Sequence, residues 1–232
     1  MHQSQTPTPL QTVVVAVDGP SGSGKSSVSR GVAVRLGLRY LDTGAMYRAV
    51  TWWMLEHGVA TGAPDVVAAH AGKPELEVGT DPETPTIAID GVDVSGAIRT
   101  REVTAAVSAV SAVPEVRRRL VVLQRGLIGD GGIVVEGRDI GTVVAPEAPV
   151  KAFLTASTGV RAERRRAEFA HDPVVTLDDT HQEITRRDSL DSRRAASPLA
   201  KAIDAHEIDA TDLTLEQVID VVVRLVLDRA AS

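Results

Sequence analysis

Two spacings of hydrophobic residues take turns along the chain. Val13-Val14-Val15-Ala16-Val17 is an unbroken apolar run rich in β-branched residues, the pattern of a strand buried on both faces of a parallel sheet. Beyond a glycine-rich stretch, Val28, Val32 and Leu36 recur at helical spacing, Gly37 supplies a stop, and Arg39-Tyr40-Leu41 makes a short second strand. Three more apolar runs, at residues 133–136, 150–154 and 206–210, read as strands with helical segments between them. The pattern predicts an α/β fold: a five-stranded parallel sheet with flanking helices.

Local signals support the helices. Pro114 suits a first turn, followed by Val116, Leu120, Leu123 and Leu127 on one face; Thr214 and Gln217 form a capping-box pattern ahead of Val218, Val222 and Leu225. Between residues 62 and 99 the rhythm changes. Residues 75–78, 86–89 and 92–94 read as short strands, and Asp90-Gly91 offers a tight hairpin turn, which predicts a small antiparallel β inset rather than an independent domain.

Composition narrows the class. With 232 residues, 43% hydrophobic and 24% charged, the chain reads as a soluble globular protein. Its net charge is −6, and the basic residues gather in two short stretches, 161–166 and 186–194, which disfavours a nucleic-acid surface. The absence of cysteine excludes disulfides, a thiolate nucleophile and cysteine zinc sites. No run approaches the ~20 apolar residues of a membrane span, and residues 1–11 are polar and Pro-rich, unlike a signal peptide. A cytoplasmic protein without membrane contact is expected. His57, His70, His171, His181 and His206 lack metal-ligand spacing, and Trp52 and Trp53 read as packing residues on a helix.

Chemistry enters at Gly19-Pro20-Ser21-Gly22-Ser23-Gly24-Lys25-Ser26, which fits GxxxxGK(S/T), follows a strand and opens a helix; Ser27 continues the phosphate-binding set. Glycines let backbone N–H groups turn around phosphate oxygens, and the helix N-terminus adds positive potential. Lys25 is placed to reach the β- and γ-phosphates of ATP, and Ser26 to ligate Mg²⁺. The chain contains no asparagine, so the NKxD motif by which GTPases read guanine cannot exist. A motor or transporter ATPase would be larger or repeated. A small-molecule kinase remains.

Two further motifs concern the acceptor. In Leu41-Asp42-Thr43-Gly44-Ala45-Met46-Tyr47-Arg48, the arginine follows a Gly-containing corner by one helical turn, where it can hold an anionic group. Glu136-Gly137-Arg138-Asp139-Ile140-Gly141-Thr142 follows the third strand at the carboxyl edge of the sheet, where open α/β folds bind ligands. Asp18 and Asp42 are candidates either for assisting Mg²⁺ through water or for capping and turning the chain.

The segments DGPSGSGKS, LDTGAMYR, DVSGAIRTREV, EGRDIGTVV and RRDSLDSRRAASPL together resemble the bacterial cytidylate kinases of the nucleoside monophosphate kinase family, over about residues 13–227. The resemblance implies transfer of the γ-phosphoryl group of ATP to CMP or dCMP by a monomer. It further implies that Arg48, Arg138 and Arg194 hold the CMP phosphate, that Ser108, Arg117 and Asp139 face the cytosine, and that Arg187 and Asp191 lie at the sugar. Thr43 stands where family members carry serine, keeping the hydroxyl and adding a methyl. Residues 1–11 are then a loose tail. Residues 12–232 form one domain, with its core at 12–42, 100–155 and 195–232, a CMP-binding region with the inset at about 43–99, and a lid at about 156–194.

Two physical arguments accompany the resemblance. Arg187, Asp191 and Arg194 are spaced i, i+4, i+7 and therefore share one helix face. Cytosine offers an exocyclic amine beside N3 and O2 acceptors, and uracil a carbonyl beside an N3–H. An aspartate suits the amine and an arginine the acceptors, so CMP is preferred to UMP.

Arg161, Arg164 and Arg165 share one helical face and suit a lid over the triphosphate, with Lys25, Arg138, Arg161 and Arg164 as the charges that stabilise the transferring group. A solvated face with pairs such as Glu163 and Arg166 is the plainer reading of such a helix. The alternatives are the same fold with UMP, AMP or shikimate as acceptor, and a nucleotide-dependent switch for a protein or RNA partner.

Overall fold

The computed structural model describes residues 9–168, 176–194 and 197–231. After a helical turn, α1 (Pro9–Thr12), the apolar run forms β1 (Val14–Asp18), and the glycine-rich loop passes into α2 (Lys25–Leu36). Gly37, at φ 65°, ends α2 and starts β2 (Arg39–Asp42), which leads into α3 (Thr43–Glu56). Then come α4 (Pro64–His70) and the inset strands β3 (Leu76–Val78), β4 (Ile87–Ile89) and β5 (Val92–Asp93). Helices α5 (Arg101–Ala112) and α6 (Pro114–Ile128) precede β6 (Ile133–Gly137) and β7 (Val150–Thr155). The chain closes with α7 (Thr158–Glu168), α8 (Leu177–Ser192), β8 (His206–Asp209) and α9 (Leu215–Ala230).

The five longer-range strands pair in parallel in the order β2-β6-β1-β7-β8. Since β1 lies between β6 and β7, the carboxyl ends of β1 and β6 bring the phosphate loop next to residues 137–139. One core, with Val28, Val32, Val218 and Val222, joins α2 and α9 to one sheet face; the other joins α3, α5, α6 and the inset to the opposite face. The predicted α/β architecture is the one observed.

The inset is a three-stranded antiparallel sheet whose Asp90-Gly91 turn has φ of 51° and 75°, the geometry of a two-residue hairpin turn. It is fastened to the core. Trp53 on α3 donates to Asp90 Oδ2 at 2.5 Å, Tyr40 on edge strand β2 donates its backbone N–H to Thr80 at 2.8 Å, and Arg30 on α2 donates to the Pro82 carbonyl at 2.9 Å. On α6, Val116 and Leu120 are buried and Leu123 and Leu127 pack, partly covered, against the same core, as expected; the buried face extends further, to Arg117, Gln124 and Ile128. One helical expectation needs correction. Helix α8 ends at Ser192, so Arg194 lies beyond it rather than on the face of Arg187 and Asp191. His171 lies outside the described residues.

Candidate active site

The phosphate loop is shaped by contacts that leave no room for side chains. Gly19, at φ 149°, passes so close to β7 that a Cβ would fall 2.1 Å from the Leu154 carbonyl oxygen; at Gly22, φ 76°, one would fall 2.9 Å from that of Arg161. Lys25 is buried at the start of α2 and donates from Nζ to the Pro20 carbonyl at 2.7 Å. Burial, and then the nearby Arg138, push its ammonium down to about 7, against the pull of Glu136 and Asp18. Ser26 and Ser27 are exposed at the same helix end.

Two of the three arginines named above on α7 also touch this loop. Arg161 on α7 donates to the Ser21 carbonyl at 3.0 Å, and Arg164 donates to those of Ser23 at 3.4 Å and Ala210 at 2.8 Å.

On the other side of Lys25, α3, β6, α6, α8 and the segment after α8 converge arginines on carboxylates. Asp42 caps α3 by accepting from the Ala45 N–H at 2.8 Å and pairs with Arg48 at 2.8 Å. Asp191 on α8 accepts from Arg138 Nε at 3.0 Å and also pairs with Arg194. Burial favours its neutral form, but Arg138, Arg194 and Arg187 outweigh that and hold its carboxyl below the usual range. Arg187 feels burial, then Arg138 and Arg165, which push its guanidinium down to about 10. Nη1 of Arg187 sits 3.8 Å from Glu183. The site is thus crowded with cations that repel one another.

Deeper, Arg117 on α6 and Asp139 form a buried ion pair, with side-chain exposures of 4% and 6%. Arg117 also donates to the Ser111 carbonyl at 3.2 Å and lies 5.2 Å from the Tyr47 ring centroid, at cation–π range. Ser108 is buried on α5. Thr43 spends its proton on the Glu136 carbonyl at 2.7 Å, tying α3 to β6.

Four of these arginines, Arg48, Arg117, Arg187 and Arg194, keep a buried Nε–H with no partner among the described residues. An unsatisfied buried donor costs about 1–3 kcal/mol, and more when charged. Their set of donors fits oxyanions.

Sequence reasoning missed two carboxylates. Glu136 is buried at the end of β6, hydrogen-bonded by the Tyr40 hydroxyl and close to the Ser26 hydroxyl; burial and then Asp42 push its carboxyl up against the pull of Lys25. Asp188 on α8 accepts from Arg161 at 2.6 Å. Position in a family segment was a usable signal for both, EGRDIGTVV for Glu136 and RRDSLDSRRAASPL for Asp188. Of the two aspartates considered for Mg²⁺, Asp42 is the cap just described. Asp18 accepts from the Ile140 and Gly141 N–H groups at 2.8 and 2.7 Å, fixing the loop after Asp139, and burial pushes its carboxyl up to about 6.

The profile of the cytidylate kinase family matches residues 15–228. A cytidylate kinase from Streptomyces avermitilis is 57% identical over 225 residues, covering 96% of each chain, and one from Streptomyces griseus is 58% identical over 221 residues, covering 94% of each. A crystal structure of an uncharacterized protein from Eubacterium ventriosum superposes with a TM-score of 0.51 at 11% identity, covering 94% of this chain and 99% of that one, a likeness of fold alone.

Proposed function

The chain belongs to the cytidylate kinase family, and on that premise we propose how its site moves the γ-phosphoryl group of ATP to CMP or dCMP. The reading rests above all on the four buried Nε–H groups of Arg48, Arg117, Arg187 and Arg194, donors that an anionic nucleotide would satisfy.

ATP lies with its phosphates in the loop from Gly19 to Ser27, where Lys25 meets the β- and γ-phosphates. Lys25, at about 7 without ligand, gains full charge when the triphosphate arrives. CMP lies across β6 and α8. Arg48, Arg138 and Arg194 hold its phosphate, Arg187 and Asp191 meet the sugar, and Ser108, Arg117 and Asp139 read the base, with Thr43 beside them. The ion pair of Arg117 and Asp139 presents an acceptor for the cytosine amine next to donors for N3 and O2; uracil reverses the demand at the amine position and at N3.

Transfer needs no general base, because the acceptor phosphate is already anionic. One of its oxygens attacks the γ-phosphorus, the bond from the γ-phosphorus to the bridging β-phosphate oxygen breaks, and ADP and CDP result. Lys25, Arg138, Arg161 and Arg164 surround the transferring group and stabilise its charge. Mg²⁺ would be held by Ser26 and, through water, by Glu136, oxygen donors of the kind a hard cation takes. When bound it neutralises charge on the β- and γ-phosphates.

Helices α7 and α8, in the segment 156–194, act as a lid over this site, within a single domain that works in the cytoplasm as a monomer. No helix among the described residues is long and apolar enough to cross a membrane. A panel of CMP, dCMP, UMP, AMP and shikimate, plus a no-acceptor control, tests the reading through ADP release. Fast turnover with CMP and dCMP is expected; equal rates across the panel would contradict it.

A further inference from the structure

Arg161 is fixed by more bonds than a swinging lid residue needs. Its Nε donates to the Ala156 carbonyl at 3.1 Å, Nη1 to the Ser21 carbonyl at 3.0 Å and to Asp188 Oδ2 at 2.6 Å, and Nη2 weakly to Thr158 Oγ1 at 3.4 Å. The Asp188 bond is the charged one. It crosses from α7 to α8, and both side chains are largely covered, at 8% and 23% exposure.

Asp188 follows Arg187 directly and precedes Asp191 by three residues, so one turn of α8 serves both the acceptor side and the phosphate-loop side. The pair is also incomplete. Asp188 Oδ1 is buried without a partner among the described residues, although Arg161 Nη2 makes only one long bond. A carboxylate that grips one nitrogen and leaves the other available allows the guanidinium to offer Nη2 to a phosphate oxygen while its charge stays compensated.

We propose that Asp188 is a positioning residue for phosphoryl transfer, holding Arg161 against the phosphate loop from the helix that carries the acceptor residues Arg187 and Asp191. The inference rests on the reading above of what binds on each side. Filling the acceptor site fixes α8, and through Asp188 it fixes the donor-side arginine as well. A neighbouring cation alone would not do this, because Arg138 and Arg165 already repel Arg187, and anions are needed to offset that.

The test uses the full chain in a coupled ADP assay. Asp188→Asn keeps the shape and an acceptor oxygen but removes the charge. Losing a charge-assisted bond to the reacting machinery lowers kcat about 10- to 100-fold. KM for CMP stays within about twofold, since Asp188 touches no acceptor atom. Asp188→Glu restores part of kcat. In Arg161→Lys, which slows the enzyme by itself, adding Asp188→Asn produces little further loss. An unchanged kcat in Asp188→Asn overturns the inference, as does a raised KM for CMP at constant kcat, or losses that multiply in the double variant. Should melting curves show Asp188→Asn unfolded, Asp188→Glu, which keeps the charge but displaces it by one methylene, replaces it: reduced kcat at steady KM for CMP is expected, and full kcat overturns the inference. Wild-type protein inactive towards CMP would instead refute the acceptor assignment, so the two failures are distinguishable.

Discussion

Replacing Asp139 with asparagine probes base selection at its most buried point. Arg117 and Asp139 are 4% and 6% exposed, so little solvent screens the pair. Asp139→Ala would strand a buried guanidinium, a penalty of about 3–5 kcal/mol in stability, and mix folding with function. Asp139→Asn keeps an acceptor and removes the charge. A hydrogen bond to a charged group contributes about 1.5–3 kcal/mol, which predicts a rise in KM for CMP of roughly 10- to 150-fold. An asparagine amide can also turn its NH₂ towards the uracil carbonyl, so the preference for CMP over UMP should narrow by at least about tenfold. KM for ATP should stay nearly constant, because the phosphate loop meets Asp139 only through Asp18 and the 140–141 backbone. Initial rates by coupled ADP detection for CMP, UMP and ATP, alongside melting curves, give every quantity. An unchanged ratio of kcat/KM for CMP to that for UMP in a folded Asp139→Asn would refute the assignment of this pair to the base.

Other perturbations separate the remaining parts of the site. Lys25→Ala should remove phosphoryl transfer while far-ultraviolet circular dichroism stays native, since the lysine bonds only within its own loop. In the wild type, Lys25 titrates near 7 when free and must be protonated to hold phosphate, so ATP affinity should fall by up to about tenfold per pH unit above pH 7; Lys25→Met should flatten that slope in titration calorimetry. Asp90→Ala deletes the acceptor for both the Trp53 indole at 2.5 Å and the Glu75 N–H at 2.7 Å, which should lower stability by about 1–3 kcal/mol and red-shift the tryptophan emission.

Features encoded by neighbouring residues could be read without a structure. The phosphate loop, the Asp90-Gly91 turn, Pro114 at a helix start and the Thr214 capping box each depend on a few adjacent side chains, and each appears where expected. Features that depend on which surfaces meet could not. The apolar stripe of α6 was legible, but not that its buried face also takes in Arg117, which a buried ion pair with Asp139 holds there. Arg194 was placed on α8 because residue spacing cannot reveal that the helix stops at Ser192. The partnerships of Glu136 with Tyr40 and of Asp188 with Arg161 join residues 96 and 27 positions apart, and only the tertiary fold brings them together. The arginines, together with Asp139 and Asp191, were legible through the family resemblance; Glu136 and Asp188 were not.

As a member of the cytidylate kinase family, this chain delivers the γ-phosphoryl group to CMP rather than to water or a different acceptor. A single-turnover reaction with ATP labelled at the γ-phosphate, excess enzyme and CMP, followed by separation of the nucleotides, tests that most directly. Label is expected in the β-phosphate of CDP, with little free phosphate. Label recovered as inorganic phosphate at the same rate with and without CMP would contradict it.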